Sequence, residues 1–551
     1  MRILFLARRF LYFRNYDDVI RELAGRGHRV HLAAERGDIE GRPPLVDELA
    51  TLPNVTVGHA PSRADDDWRW MADRLRLGLD YLRYQHPLFD EAPKLRLRAR
   101  ERTPRLFVAL GDPIGRHAPW MRKPAAAMLR HLERAVPDDP GVARYIDEQR
   151  PDVLILTPLI DLGSAQIDYL RATRARRIPT ILAVWSWDHL SSKALVRECP
   201  DRVLVWNEVQ KREAIELHGV PAERIVVTGA QCFDRWFGRQ PSRDRETFCA
   251  AVGLPSNRPL LLWVCSALFL GSRPEAPVVL EWLRRIRASA VPGLHDAAVL
   301  IRPHPSRTSE WQGVDLTGLG PVAVHGSSPV DAASRADYFD ALYHSAAIIG
   351  INTSAFIEGG IVGRPVHTIL LPELHENQMG TLHFRYLLDY GGGLLEAARD
   401  FDEHVRQLAR SLAQPPSGIR PFVKLFVRPY GLDVAATPRF VEAVEQMTHA
   451  AVAAPPRRWK VSFARWLLGA MIAWRSTPAA ERWFHSEREL EAMARIRRAR
   501  EHKEERAAQR QAAEAALKQA KRARRELEWI QHRAARAARD AENKKVLGRV
   551  P

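Results

Sequence analysis

Residues Asn352–Thr368 read NTSAFIEGGIVGRPVHT, and the runs on either side give the stretch its meaning. Before it lies Ala346–Ile351 (AAIIGI). After the turn Gly363-Arg364-Pro365 comes Val366–Leu370 (VHTIL). Short apolar runs rich in β-branched residues suit strands buried on both faces, as in a parallel sheet. Between them Ala355–Val362 is predicted to be a helix, opened by Asn352-Thr353-Ser354 and ended by Gly363. A helix that opens just past a strand end aims N–H groups and a positive dipole at the crevice there, which suits a phosphate. Ser354 and Glu358 are four residues apart and share one helix face. Phosphate at Ser354 and a ribose diol at Glu358 would span a nucleotide diphosphate. A capped helix with one exposed glutamate is the competing reading.

Working outward, Pro259–Cys265 (PLLLWVC) and Ala297–Ile301 (AAVLI) are further buried strands. Arg302-Pro303-His304-Pro305 follows the second of these at its carboxyl end, where open parallel sheets bind ligands. Arg302 and His304 have the chemistry to meet phosphate oxygens, with the two prolines fixing the loop. An incidental polar turn is the alternative.

The first half alternates in the same way. Arg2–Ala7, Arg29–Ala34, Val55–His59, Asp152–Leu156, Thr180–Val184, Arg202–Val205 and Arg224–Thr228 read as strands. A loop carrying Arg8, Arg9 and Arg14 is expected after the first. A helix capped by Asn15 is expected next, with Asp17 and Asp18 in its first turn. Residues 65 to about 145, rich in Arg, Leu, Trp and Ala, read as a helical insertion with no chemistry in it. Alternating strands and helices imply α/β architecture with a parallel sheet. The repeat of the pattern after Gly229 implies two such domains. The loop after the first strand, Ala7-Arg8-Arg9-Phe10-Leu11-Tyr12, lacks the Gly-x-Gly-x-x-Gly that lets backbone approach a dinucleotide pyrophosphate. Without those glycines Glu35 is read as a surface residue, and an NAD-dependent enzyme is rejected.

With these residues in view, the chain resembles the GT-B glycosyltransferase superfamily, over about residues 1–450. The run 352–368 resembles its nucleotide-binding helix and Gly-x-Pro exit. The resemblance implies two Rossmann-like parallel-sheet domains facing a cleft. Residues 1–230 would be the acceptor domain and 231–450 the nucleotide-donor domain. It implies that Glu358 holds the donor ribose and that Thr353 and Ser354 hold the diphosphate. It also implies that Gln378, in Glu376-Asn377-Gln378, meets donor-sugar hydroxyls, although the spacing there is loose. Arg302–Pro305, the run Asp201–Asp234, and Trp187-Asp188-His189 with Lys193 resemble the bacterial surface-polysaccharide branch. That branch includes CDP-glycerol glycerophosphotransferases and relatives of UDP-N-acetylglucosamine 2-epimerase. In that branch the Trp-Asp element continues with Asn where this chain has His189.

Such an enzyme usually needs no bound metal and no cofactor beyond its nucleotide-activated donor, and no Asp-x-Asp motif stands at a strand end. Asp65-Asp66-Asp67 lies in a polar loop before a helix, away from the second-half site. A base for the acceptor hydroxyl is sought near first-half strand ends. Asp188 is preferred over Asp161 because His189 and Lys193 are near it. Either could be a helix cap. Arg8 and Arg9 are candidates for an acceptor phosphate, against a basic surface loop.

The whole chain of 551 residues has 83 Lys+Arg, 66 Asp+Glu and a net charge of +17. At roughly 150 residues per domain the length suggests three or four domains. An apolar fraction of 46% excludes a mostly disordered chain. Residues 451–551 hold +13 of the charge and the first 450 only +4, so the basicity belongs to a C-terminal tail. Within it Arg457–Arg475 (RRWKVSFARWLLGAMIAWR) interleaves five basic residues with Trp459, Trp466 and Trp474. That composition suits a helix at an anionic membrane surface. A terminal helix packing its tryptophans on the body is the alternative. Ser486 to about Asn543 lacks Pro and Gly and is predicted as one long helix. Its sparse Leu, Met and Ile leave a coiled coil open and a solvated basic helix as the plainer reading. The four cysteines form no Cys-x-x-Cys pair, so a structural zinc site is not expected. Signal-peptide and membrane-spanning patterns are not found, and the reading is a cytoplasmic protein, peripheral on the inner face of the membrane if the tail anchors it.

The leading function is transfer of a sugar, or a polyol phosphate, from a nucleotide-activated donor to a cell-surface glycan or lipid-linked acceptor. The alternatives are a nucleotide-sugar 2-epimerase and a non-catalytic module whose tail binds membrane or nucleic acid. Nucleic acid is not an expected partner of the enzyme.

Overall fold

The computed structural model describes residues 1–38, 41–269, 271–414, 418–449, 461–475 and 477–547. Thirteen strands are present among them. Seven lie in the first half: β1 Arg2–Arg9, β2 Arg29–Arg36, β3 Val55–His59, β4 Val153–Thr157, β5 Thr180–Ala183, β6 Arg202–Val205 and β7 Ile225–Val227. Six lie in the second: β8 Leu260–Val264, β9 Ala298–Arg302, β10 Val322–Val324, β11 Ala347–Gly350, β12 Val366–Ile369 and β13 Leu395–Ala398. They form two separate sheets, ordered β3-β2-β1-β4-β5-β6-β7 and β10-β9-β8-β11-β12-β13. Every pairing is parallel. Both sheets are doubly wound. Their strand order reverses between β1 and β4 and between β8 and β11, and ligands bind at such points. This is the arrangement of two Rossmann-like parallel sheets expected from the sequence.

The apolar runs form strands because both faces are covered. Phe5, Val30 and Ile155 face one core of the first sheet, with Phe13 and Leu23; Leu4, Leu154 and Leu182 face the other, with Ile146 and Leu170. The second sheet is covered likewise, around Trp263, Trp282 and Ile349 on one face and Phe248, Leu262 and Ile348 on the other. Between the two sheets, Trp187, Trp206 and Phe233 pack with Phe356, Phe384 and Phe422. Burying each such ring contributes about 1.5–3 kcal/mol. This shared cluster, with the bond from Asn207 Nδ2 to the Phe426 carbonyl (2.7 Å), joins the halves into one compact unit covering Met1–Phe484.

Several local expectations change. β1 runs through Arg8 and Arg9, which were expected in a loop, because Arg9 stays in register with Arg36 of β2. The next helix, Asp17–Gly25, is preceded by Tyr16 rather than capped by Asn15. Asp17 and Asp18 are both held by Arg235. The chain also does not remain with the second sheet to residue 450. Helix Ala436–Glu445 returns to the first, where Phe440, Val441 and Val444 enter its core. Asp234 fastens that return by accepting from the Thr437 N–H and hydroxyl, both at 2.7 Å.

The insertion contains helices Asp67–Arg83, Pro93–Arg102, Arg105–His117 and Arg122–Ala135. It is anchored by buried ions as well as apolar contacts. Arg76, fully buried, donates to Glu133 (2.9 Å) and Asp168 (2.7 Å), and Asp168 belongs to helix Gln166–Ala175 beside β4. Burial alone would push the Asp168 carboxyl up, but Arg76, Arg171 and Arg63 outweigh it and hold it below its usual range.

Helix Ser462–Trp474 also joins this body rather than standing apart as tail. Ala464 and Leu468 sink among Met71, Leu75, Phe107 and Leu129 of the insertion. Arg465 donates to the Ala135 carbonyl (3.0 Å) and Arg475 pairs with Asp67. Trp466 does not provide this packing, being 68% exposed, with Phe463, stacked on it, at 73%; Trp474 meets the buried Phe484 edge-on at 5.9 Å. Arg457, Arg458, Trp459 and Lys460 lie outside the described residues. His485–Pro551 is a second unit. It holds helix Glu487–Leu547 of 61 residues, about 90 Å long at 1.5 Å per residue. Its Leu517, Leu527 and Ile530 are exposed, and ion pairs such as Arg500–Glu504 and Arg524–Glu528 run along it. Among the described residues no helix is long and apolar enough to cross a membrane.

Candidate functional site

A cleft of about 950 Å³ opens at the carboxyl ends of both sheets. From the second sheet it is lined by residues at or beyond the ends of β8, β9 and β11: Cys265, Ala267, Leu268 and Phe269, Arg302 to Pro305, and Asn352 to Ser354 with Glu358. From the first it is lined by Arg14 and Asn15 beyond β1, and by Trp185, Ser186, Trp187 and Asp188 beyond β5. Arg302, His304, Thr353, Ser354, Glu358 and Asp188 of the sequence reading therefore meet in one cavity.

Helix Ala355–Ile361 lies unusually close to its sheet. A Cβ on Gly359 would come within 2.4 Å of Ile348, and one on Gly360 within 2.6 Å of Leu394. The glycine pair thus seats Glu358 low in the cleft wall. The Tyr338 hydroxyl donates to the Glu358 carboxylate. Burial pushes that carboxyl up to about 7, against the opposing pull of the Tyr338 bond and of Arg14. Arg302 stacks over the Tyr338 ring at 5.2 Å and pairs with Asp337 at 2.7 Å. Its charge is thereby fixed rather than free. His304 shares its Nδ1 with the Ser306 N–H and hydroxyl. Burial, then Arg307 and Arg14, lower its pKa, so it faces the cleft as a neutral ring.

Asp188 is held on several sides. Its oxygens accept from the Ser186 hydroxyl (2.5 Å) and the Ser192 hydroxyl (2.8 Å), and Lys193 Nζ lies 3.3 Å away. Burial alone would raise its pKa. Lys193, His383 and the two serine bonds together outweigh that and hold it far below the usual carboxylate range. Asp188 is thus held ionised, and with its oxygens engaged it is a weak proton acceptor.

Four expected site residues sit elsewhere. Arg8 and Asp161 pair with each other, Arg9 stays in the strand ladder, and none of the three lines the cleft. Gln378 is buried behind it. Its amide donates to the Ile351 carbonyl (3.2 Å), the Thr368 hydroxyl (3.0 Å) and the Ile369 carbonyl (3.0 Å), which ties the ends of β11 and β12. A side chain so engaged does not reach a sugar hydroxyl. Its neighbour Asn377 lines the cleft instead, and Glu376 pairs with Lys94 of the insertion at 3.0 Å. The sequence reading missed Tyr338, His383, Arg98 and Arg102, all of which line the cleft. Arg98 and Arg102 carried a signal, two cations four apart on a predicted helix. Tyr338 carried none, because it meets Glu358 only through the packing of two helices.

Among the described residues no group of three or more His, Cys, Asp or Glu side chains is placed to hold a metal ion.

Similar solved structures are nucleotide-sugar epimerases and glycosyltransferases. A UDP-GlcNAc 2-epimerase from Methanocaldococcus jannaschii is 11% identical, with 81% of this chain and 100% of that one covered, at a TM-score of 0.47. The UDP-GlcNAc 2-epimerase from Neisseria meningitidis bound to UDP-GlcNAc is 11% identical over 81% and 100%, at 0.44. A glycosyltransferase from Rickettsia africae is 12% identical over 86% and 97%, at 0.42. No family model matches the chain, and no curated protein matches it. At this level of likeness the fold is read from the strand orders themselves.

Proposed function

We propose that the protein transfers a sugar, or a polyol phosphate, from a nucleotide-activated donor to a glycan or lipid-linked acceptor. The observation that carries this reading is the convergence of Arg302, His304, Thr353, Ser354 and Glu358 at the switch point of the second sheet, in one cleft with Asp188 of the first. Glu358 accepts from the ribose hydroxyls, and Thr353 and Ser354 donate to the diphosphate. Arg302 and Arg14 offset the charge that grows on the leaving group, and the neutral His304 ring can donate a hydrogen bond to it through Nε2. In sugar transfer an acceptor oxygen bonds to the anomeric carbon, the bond from that carbon to the diphosphate breaks, and a nucleoside diphosphate leaves. Asp188 orients the acceptor hydroxyl, stabilises positive charge at the sugar and takes the proton late.

Thermal shifts with UDP-, GDP-, CDP- and dTDP-activated donors test the nucleotide half. One nucleotide is expected to stabilise the protein, and Glu358→Ala is expected to weaken it by about 1–3 kcal/mol. Unchanged affinity in calorimetry would rule out the ribose role. The pH dependence has a definite sign. Only the ionised carboxylate accepts from both ribose hydroxyls, so binding requires loss of the proton that burial retains up to about pH 7. Affinity is expected to rise from pH 6 to 8 by roughly tenfold and then level off, and Glu358→Gln is expected to flatten the rise. Donor epimerised without any acceptor would mark an isomerase and overturn the transfer.

A lipid-linked acceptor places the protein at a membrane surface, and the exposed Phe463–Trp466 pair supports that placement. Phe463→Ser/Trp466→Ser is expected to lower sedimentation with anionic liposomes several-fold, without the loss of folding stability that substituting Leu468 would bring. Equal sedimentation of the variant and the parent would remove this helix as the anchor.

A further inference from the structure

Helix Glu487–Leu547 carries a pattern in its second half that the scarcity of large apolar residues conceals. From Ala513 to Ala541, the nine positions spaced alternately three and four residues apart hold seven alanines, with Leu527 and Ile530 at their centre. All twelve charged residues of this stretch lie off that row. The row is open to solvent in the single chain, where Leu527 is 59% and Ile530 57% exposed. A mean spacing of 3.5 residues is the heptad period, which drifts by about 20° per heptad from the 3.6 residues per turn of a straight helix. Over four heptads a straight helix on a flat surface would turn such a row aside by about 80°. A second helix that coils around the first keeps the row covered throughout. The composition points the same way. Alanine brings little apolar area to a lipid interface, but its small side chain lets two helix axes approach closely. A lone solvated helix is served by ion pairs on any face, and gives no reason for keeping every charge off one row.

We propose that residues 513–541 pair with the same stretch of a second copy of this chain, as an antiparallel coiled coil centred between Leu527 and Ile530. Setting Leu527 against Ile530 of the second copy fixes the other layers: Ala523 against Ala534, Ala520 against Ala537, and Ala516 against Ala541. Two-fold symmetry repeats each layer on the other side of the centre. The positions flanking the seam select the direction, since their charges set partner and orientation. In this register Glu526 meets Arg533, twice by symmetry; Gln519 meets Asp540, Arg524 meets Gln531 and Leu517 meets Ala538. No like charges face each other. A parallel pair would instead set Gln519 against Arg524 and Glu526 against Gln531, and would gain no ion pair from them. Lys518, Lys521, Arg522, Arg525, Arg536 and Arg539 occupy the outer heptad positions, which keeps the basic residues of the two copies apart. The pairing is independent of the reaction assigned above. It tethers two enzyme bodies, with the helix starts at Glu487 about 120 Å apart at 1.5 Å per residue.

Sedimentation equilibrium of the full chain is the test. A dimer is expected, and Leu527→Asp/Ile530→Asp is expected to leave a monomer whose Met1–Phe484 unit unfolds at the same urea concentration as before. Glu526→Arg is expected to weaken the dimer about tenfold or more, because symmetry puts two repulsions where two attractions stood. Adding Arg533→Glu is expected to restore it, which a mere loss of helix would not allow. Cysteine cross-linking, mapped by mass spectrometry, reads the direction. Chains with Ala520→Cys mixed with chains carrying Ala537→Cys are expected to form the mixed disulfide between these positions, while neither links to itself. Self-linking of the Ala520→Cys chain would overturn the antiparallel register. A full chain that stays monomeric, or a dimer that survives Leu527→Asp/Ile530→Asp, would overturn the pairing. A monomer that binds anionic liposomes or RNA through this row, and loses that binding in the same variant, would overturn it in favour of that partner.

Discussion

Arg76→Met is expected to destabilise the Met1–Phe484 unit by about 3–5 kcal/mol, because it leaves Glu133 and Asp168 buried with fewer opposing charges. Methionine fills much of the arginine stem's volume, so the loss reports charge rather than a cavity. The midpoint of urea unfolding should fall accordingly. Adding Glu133→Gln and Asp168→Asn should recover part of the loss; no recovery would mean that packing, not charge, is what Arg76 supplies. The pH dependence follows from Asp168 and Glu198, whose carboxyls are both held below their usual values. Groups with depressed folded pKa values contribute stability that is present above their unfolded pKa, about 4, and is lost as pH falls through the folded value. Acid should therefore loosen the insertion below about pH 4. Arg76→Met should move that transition to higher pH, since it removes the strongest partner of Asp168.

Asp188→Asn is expected to lower turnover by about 100-fold or more while nucleotide affinity stays within twofold. The asparagine keeps the shape and can still bond to Ser186 and Ser192, but it carries no charge to stabilise the sugar and accepts no proton. Because Lys193 and the serines keep Asp188 ionised in the free protein, the acid side of the wild-type kcat/KM profile should show no limb from this residue between pH 5 and 8. A variant with undiminished turnover would exclude Asp188 from the chemistry. One with equally reduced nucleotide affinity would place it on the donor side.

How much was legible in the sequence depended on the range of the interaction. The long apolar strands β1, β8 and β9 were readable because burial on both faces demands an unbroken apolar run. β10 (VAV) and β13 (LEAA) were not, since edge strands this short carry no such demand. The Ser354–Glu358 spacing and the loop at Arg302 were readable because one helix turn and one strand end fix them locally. Gln378 was misread because its partners are three strand-end groups that only the closed sheet brings together. Asp161 was misread because its partner Arg8 is 153 residues away.

The sequence by itself determined the alternation of strands and helices that implies two parallel-sheet domains, and the position of the nucleotide-like loop and helix. Each follows from patterns within about ten residues, where strand period, helix period and turn chemistry act. The tertiary structure alone decided that the insertion reaches the cleft with Arg98 and Arg102, that Tyr338 and Arg14 surround Glu358, and that Ala436–Glu445 returns to the first sheet. It also decided that helix Ser462–Trp474 buries Ala464 and Leu468 while leaving Trp466 exposed. These outcomes depend on how faces of different elements fit and on which charges meet once water is excluded, and no local pattern encodes either.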